Sequence, residues 1–262
     1  KIFSGSDGGI YRSNDRGDNW TDLSTGLGIR QFYRIANSKT VSTTFSGGAQ
    51  DNGSSIYKSS GWIDWLGADG MDAIISPLDA NLQWGTSQNG SLYRTSNGGS
   101  SYSNITEPAT GNWVTPIAVE SNSNIIYAGW NGVYRSADLG ASWAKLTGTV
   151  ITSNCVALAL APSDSRYIYA SVGSTLYASS DAGATWSSQT APSTINAISV
   201  NPSNPQRVWI ACNNSTNRVY VSNDAGVSWI NKSAGMPVVT VRSISVDDDA
   251  NESVYVGANI GV

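Results

Sequence analysis

Because the sequence contains no histidine, any catalysis in this chain would have to rest on carboxylates or tyrosine, with indoles and guanidiniums as candidates for binding. That absence removes the commonest general base and the commonest transition-metal ligand, so a Ser-His-Asp hydrolase and a zinc site are excluded. What remains are acids and aromatics that break an otherwise regular pattern: Asp7, Gln50, Asp51, Asn52, Asp69, Asp72, Trp62, Trp113 and Trp130, with Arg30 and Arg34. Asp51 and Asp69 are candidates for a carboxylate pair of the kind that hydrolyses glycosidic bonds, which needs two carboxyls about 5 to 9.5 Å apart. Trp62, Trp113 and Trp130 fit no position of the repeat, and exposed indoles at such places suit stacking on sugar rings.

The pattern these residues break is a turn followed by an aromatic residue. Ser-x-Asp-x-Gly-x-x-Trp occurs at Ser13 to Trp20, Ser136 to Trp143, Ser179 to Trp186 and Ser222 to Trp229. Thr95 to Tyr102 is a variant with Asn97 in the aspartate place, and Tyr57 to Trp65 is a sixth copy without the aspartate turn. The landmark aromatics recur about every 37 to 45 residues, the period of one supersecondary unit per repeat. In each turn the aspartate (Asp15, Asp138, Asp181, Asp224) or Asn97 accepts backbone N–H groups, the glycine supplies a positive φ, and the aromatic (Trp20, Tyr102, Trp143, Trp186, Trp229) is expected to insert between adjacent sheets. These residues read as structural staples.

Between the turns lie short alternating runs that read as four strands per repeat. The unit after Trp113 has them at 116–119, 124–129, 132–136 and 143–146. Four-stranded units at this period predict an all-β protein, a β-propeller with six blades visible and a seventh expected, and one domain over 1–262. The N-terminus reads as a second and third strand, and the C-terminus as a first and second. The chain is therefore expected to be a segment of a longer array, with further domains on the same polypeptide. In the repeat frame Trp84 and Trp209 align with Phe3, Tyr127, Tyr169 and Tyr255, so all are expected in the core.

Composition supports this reading and narrows the partners. Charged residues are 13% of the chain and the net charge is −4. Without a basic stripe, a nucleic-acid partner is not expected. No apolar run is long enough to cross a bilayer, and no signal peptide is visible. No cofactor or metal is expected, since no stretch has the oxygen-ligand spacing of a calcium loop. Cys155 and Cys212 begin and end strands of successive repeats; they are either bonded across neighbouring blades or, the favoured reading, two buried free thiols.

The turns resemble the Asp-box (bacterial neuraminidase) repeats of sialidases, xyloglucanase-type glycoside hydrolases and sortilin-like receptor propellers. The resemblance covers essentially the whole chain. It is specific for the fold and not for an activity, since the box occurs in enzymes and binding domains alike. The segments Gln50-Asp51-Asn52-Gly53, Gly67 to Asp72 and Asn112 to Pro116 also resemble recurring stretches of large secreted proteins of Bacteroidetes-type bacteria, which implies an extracellular or cell-surface location. Asp7-Gly8-Gly9-Ile10-Tyr11-Arg12 is similar to a run whose aspartate is catalytic in xyloglucanase-type enzymes, with one residue fewer between the acid and the glycines. The Tyr-Arg pairs recur before boxes and are strand residues, so the arginine cluster of a sialidase is not expected. The resulting expectation is a binding or scaffold module presenting its funnel face, formed by the second-to-third strand turns and blade connections, to a glycan or protein. The alternatives are a glycoside hydrolase using Asp7 or the Asp51/Asp69 acids on a β-glucan, and a structural repeat of a large adhesin or filament.

Overall fold

A computed structural model of the chain describes residues 1–6, 9–27, 30–214 and 216–259. Asp7 lies outside the described residues. The chain forms two compact units, one of residues 1–75, 79–88 and 92–104 and the other of residues 76–78, 89–91 and 105–262. Both are built from antiparallel meanders in which every strand pairs with its sequence neighbour.

The first unit begins with a three-stranded sheet of β1 (Ile2–Ser6), β2 (Gly9–Ser13) and β3 (Thr21–Asp22). A four-stranded sheet follows, β4 (Phe32–Asn37), β5 (Phe45–Ala49), β6 (Gly53–Lys58) and β7 (Gly61–Leu66). The next consists of β8 (Ala73–Ile75), β9 (Gln83–Thr86), β10 (Leu92–Thr95) and β11 (Ser103–Ile105), the last residue of which belongs to the second unit. The second unit holds β12 (Ile117–Val119), β13 (Ile126–Trp130), β14 (Gly132–Ser136) and β15 (Ala144–Lys145) as one sheet. Its second sheet is β16 (Ala157–Leu160), β17 (Ile168–Val172), β18 (Thr175–Ser179) and β19 (Ser187–Thr190). Its third is β20 (Ile195–Val200), β21 (Val208–Cys212), β22 (Val219–Ser222) and β23 (Ile230–Asn231), before a final pair, β24 (Val241–Val246) and β25 (Val254–Ala258). The expected four-strand repeat is thus present, with three strands in the first sheet and two in the last.

The repeated turn has one geometry throughout. Ser136 Oγ donates to Asp138 Oδ1 at 2.7 Å and accepts the N–H of Gly140 at 2.8 Å. Asp138 in turn accepts the N–H of Ser142 at 2.9 Å and its hydroxyl at 2.6 Å. Ser179, Asp181, Gly183 and Thr185 repeat these bonds, as do Ser222, Asp224, Gly226 and Ser228. Ser13, Asp15, Gly17 and Asn19 do the same, and Asn97 substitutes its amide, accepting the Ser101 N–H and donating to the Ser101 hydroxyl. The polar residue four places after the acid is therefore part of the staple, a role the spacing alone did not reveal. Positive φ is also needed at two successive positions, the residue before the glycine (Leu139, φ 63; Ala182, φ 60) as well as the glycine itself (Gly140, φ 96; Gly183, φ 86).

The box aromatics depart from expectation. Trp20 is 45% exposed and Tyr102 51% exposed, so neither is wedged between sheets. Trp186 and Trp229 are half-buried and lean on the apolar cluster of the sheet before their own. Trp20 and Trp186 donate their indole N–H groups to the carbonyls of Gly17 and Gly183, both at 3.1 Å, capping their own turns. The box glycine also lies close against the preceding sheet: a Cβ on Gly183 would stand 2.7 Å from Leu146 Cδ1, and one on Gly226 2.4 Å from Leu176 Cδ2. In the repeat frame Trp84, Tyr127, Tyr169 and Trp209 are core, but Phe3 is 60% and Tyr255 55% exposed, because β1 and β25 lie in incomplete sheets that bury them less. Cys155 and Cys212 are buried free thiols, and burial pushes them up to about 12 and about 11.

Ser179→Ala removes the acceptor of the Gly183 N–H in a buried place, so it should cost about 1–3 kcal/mol in chemical denaturation. Its exposed neighbour Ser180→Ala should stay within about 0.5 kcal/mol. The carboxyls of Asp15, Asp138 and Asp181 are lowered to about 2, chiefly by the side-chain donor four residues on and then by its N–H. A depressed folded-state value means that the boxes add stability above the ordinary carboxylate range and lose that contribution as pH falls through about 2. A series of denaturation midpoints should accordingly fall between pH 4 and pH 2, with carboxyl NMR titrations centred near the lower value.

Candidate functional site

A concavity lies within the first unit, between the three-stranded sheet and its neighbour. It is a cleft of about 840 Å³ walled by Tyr11 and Asp22 from β2 and β3, the 24–27 connection, Arg30 and Phe32 at the start of β4, Asn52 in the β5–β6 turn, and Trp62 and Asp64 on β7. Clefts of this size suit a small chain-like ligand.

Trp62 dominates one wall. Alternation along β7 leaves its indole 45% exposed while Trp65 and Leu66 turn inward. Phe32 stacks on it with centroids 5.8 Å apart, while Phe45 and Tyr57 meet it edge-on at 5.2 and 5.3 Å. The Arg30 guanidinium sits 5.8 Å from its ring centroid, in cation–π range. Arg30 is itself fixed: Nη2 donates to Asp64 Oδ2 at 2.8 Å and Nη1 to Ser55 Oγ, while Ser55 Oγ donates to Asp64 Oδ1 at 2.6 Å. Three polar side chains thus hold a half-exposed aromatic platform in one orientation.

The two described acids of the cleft, Asp22 and Asp64, are both anionic. Burial raises the Asp64 carboxyl, but the hydrogen bonds from Arg30 and Ser55 and the Arg30 charge outweigh it, and the net shift is downward. The hydroxyl and N–H of Ser24 hold Asp22 below the ordinary range, with the N–H at 2.7 Å. Neither carries a proton at neutral pH, so both act as hydrogen-bond acceptors. A glycosidase pair requires one of its carboxyls protonated.

Other candidates fall in different roles. Asp51 sits in the β5–β6 turn at φ 56, and its N–H is held by Asp69 Oδ1 at 2.6 Å while Gln88 Nε2 donates to Asp69 Oδ2 at 2.7 Å. The structure therefore brings Asp51 and Asp69 together, with the Asp69 carboxylate occupied on both oxygens as a clamp on a strained turn. Gly70 lies against the Gly53 carbonyl, where a Cβ would come within 2.2 Å, so the chain crosses that turn backbone to backbone. Asp72 is buried and its carboxylate accepts the Ala73 N–H at 2.8 Å, which makes it a structural cap and not a ligand-facing acid. Gln50 accepts from Tyr33 Oη at 3.2 Å, Asn52 donates to the Gln50 carbonyl at 3.1 Å, and Arg34 donates to the Tyr33 carbonyl at 3.2 Å. Of these, Asn52 lines the cleft.

Trp130 corrects the expectation of a rim indole. It is 0% exposed, donates to the Gly90 carbonyl at 3.1 Å and meets Trp143 edge-on at 4.8 Å. It is core because it ends β13 on the inward side. Trp62 is corrected in place: it stands on the fourth strand of its sheet, away from the turns that carried the expected funnel sites. Trp113 is exposed (51%) on a loop pinned through Asn89 N–H to its carbonyl and Asn112 Nδ2 to the Cys155 carbonyl. Sequence reasoning missed Asp22, Asp64 and Tyr11 as cleft residues and the buried Ser55 that supports Arg30 and Asp64; the alternation Trp62-x-Asp64 was the one available signal. Among the described residues no cluster of acids and cysteines could hold a metal ion.

Comparison with known proteins identifies the fold. The family profile described as sortilin, neurotensin receptor 3 (Sortilin-Vps10) matches residues 131–256. An ancestral GH74 enzyme superposes with a TM-score of 0.70 at 18% identity, over 87% of this chain and 35% of that one. The GH74 xyloglucanase from Xanthomonas campestris gives 0.55 at 15% identity, over 87% of this chain and 52% of that one. YCF48 from Cyanidioschyzon merolae gives 0.63 at 11% identity, over 87% and 80%. No curated protein matches the sequence. The chain thus spans about a third to a half of the GH74 structures, and its sheets are the blades of a β-propeller.

Arg30→Ala should let the Asp64 carboxyl return toward the ordinary carboxylate range in an NMR titration. Fluorotryptophan spectra should show the Trp62 resonance more accessible to a soluble quencher in the same variant. An unchanged Asp64 titration would show that Arg30 does not orient the platform.

Proposed function

We propose that the chain is a carbohydrate-binding module of an exported protein and takes a neutral glycan chain in the cleft of the first unit. The observation that carries this reading is the Trp62 platform, half-exposed and oriented by the Arg30–Ser55–Asp64 network beside Asp22 and Asn52. A sugar ring presents an apolar C–H face and a rim of hydroxyls. The indole matches the first, and anionic acceptors with amide donors match the second. Two carboxylates against one guanidinium disfavour an acidic sugar.

The fold is shared with enzymes, including the GH74 xyloglucanase from Xanthomonas campestris, which makes a β-glucan the natural first probe. Binding without hydrolysis is favoured because the described acids of the cleft, Asp22 and Asp64, are both held ionised, so neither is poised to protonate a leaving group. An extracellular or surface location fits a glycan ligand and the sortilin-type match. Among the described residues no helix is long and apolar enough to cross a membrane.

Calorimetric titration with xyloglucan and cello-oligosaccharides should give binding without release of reducing ends. Trp62→Ala should weaken it at least about tenfold, a loss of roughly 1.4 kcal/mol, while Trp113→Ala leaves it unchanged. Equal binding by wild type and Trp62→Ala, or no binding to any neutral glycan, would overturn the reading.

A further inference from the structure

The cleft of the first unit carries one carboxamide among its described lining residues, Asn52. Asp22 and Asp64 are ionised and can only accept hydrogen bonds, whereas a carboxamide offers an acceptor oxygen and a donor N–H side by side. Asn52 spends one N–H on the Gln50 carbonyl at 3.1 Å. Its Oδ1 and second N–H have no further partner among the described residues. The β13–β14 turn also holds an asparagine, but there Asn131 Oδ1 accepts from Tyr134 Oη at 2.6 Å. Asn52 is thus the turn asparagine whose own sheet leaves it open.

The turn that carries Asn52 is clamped from both strands of its hairpin. Asp51 stands at φ 56, a left-handed conformation that a residue with a side chain keeps only where its surroundings enforce it. The enforcement comes from Asp69, whose Oδ1 takes the Asp51 N–H at 2.6 Å while Gln88 Nε2 holds Oδ2 at 2.7 Å. The Gly70 N–H reaches the Ala49 carbonyl at 3.1 Å. A Cβ on Gly53 would stand 1.9 Å from the Leu66 carbonyl oxygen, and one on Gly48 2.3 Å from that of Met71. Backbone meets backbone on each side, so the hairpin has no room to shift and the Asn52 amide keeps one direction.

We infer that Asn52 is the specificity-determining residue of the cleft and that Asp69, acting through the Asp51 turn, is its positioning residue; this rests on the glycan reading above. The group selected is a pair of neighbouring free hydroxyls on a sugar ring. One hydroxyl donates to Asn52 Oδ1 and its neighbour accepts from Nδ2, while the C–H face of a ring lies on Trp62. Internal rings of a 1,4-linked β-glucan keep the hydroxyls of C2 and C3 and present such a pair. In a 1,3-linked β-glucan C3 is taken by the linkage, and the hydroxyls left on C2, C4 and C6 include no two on adjacent ring carbons. The cleft therefore prefers the 1,4-linked chain, because the other leaves an amide group unpaired.

Calorimetric titration with cellohexaose and laminarihexaose, the 1,4- and 1,3-linked glucose hexamers, tests this. Wild type should bind cellohexaose at least about tenfold more tightly. Asn52→Ala should bring the two affinities within about twofold of each other, with the remaining binding still abolished by Trp62→Ala. Asp69→Ala should level them in the same way, although Asp69 is not among the described lining residues, and should speed hydrogen exchange at the Asp51 amide. Asn52→Asp keeps the shape and loses the donor, and serves if the alanine variant does not fold. Equal wild-type affinities, or a preference that survives Asn52→Ala, would overturn this inference and leave the glycan reading standing. Binding of neither hexamer would also overturn it; with xyloglucan unbound as well, the glycan reading falls too.

Discussion

The structure depends on a buried hydroxyl at the end of each third strand. Ser136, Ser179 and Ser222 are at most 4% exposed, and each accepts a backbone N–H from the glycine four residues on. A turn with two successive positive-φ residues would otherwise leave that donor unpaired inside the protein, at a cost of about 1–3 kcal/mol. The hydroxyl satisfies it and donates its own hydrogen bond to the box carboxylate. The carboxylate then fixes the start of the fourth strand. One side chain therefore closes the hairpin, and the closed hairpin sets where the glycine lies.

That glycine carries the effect to the neighbouring sheet. Its missing Cβ lets the turn settle onto Leu146, Leu176 or Ile105 of the sheet before it, at distances no side chain could share. Stability in such an array comes from each sheet and its contact with the next, as in other repeat architectures. The last pair of strands shows the same logic by another route. Glu252 accepts from Arg207, Trp209 and Asn201, tying the β24–β25 turn to the sheet before it. Burial raises the Glu252 carboxyl, but these donors bring it below the ordinary range.

Much of this could be read from the sequence, and for a physical reason. A staple that recurs about every 37 to 45 residues leaves the same residue types at the same offsets, so Asp138, Gly140 and Trp143 announce their place. The donor four residues after the acid was hidden because asparagine, serine and threonine share the task. The box aromatics were misjudged because each was assumed to be wedged between sheets, when Trp20 and Tyr102 stand exposed and Gly140, Gly183 and Gly226 leave no room for a side chain against the sheet before. The cleft was the least legible part. Asp22, Ser55 and Asp64 come from three strands of two sheets, and no spacing joins them before the chain is folded. Trp130 looked anomalous in the repeat frame, yet its N–H fits the Gly90 carbonyl and its ring closes a buried cluster; an irregular residue here filled an irregular gap in the core.

Native-state hydrogen exchange at the box glycines tests the central claim most directly. If the serine hydroxyl holds each hairpin closed, the amides of Gly140, Gly183 and Gly226 exchange as slowly as those of the strands they join, and only when a whole sheet opens. Exchange at the rate of exposed loop amides, with the strands still protected, would contradict the account, because the turns would then be passive connections between sheets held by other means.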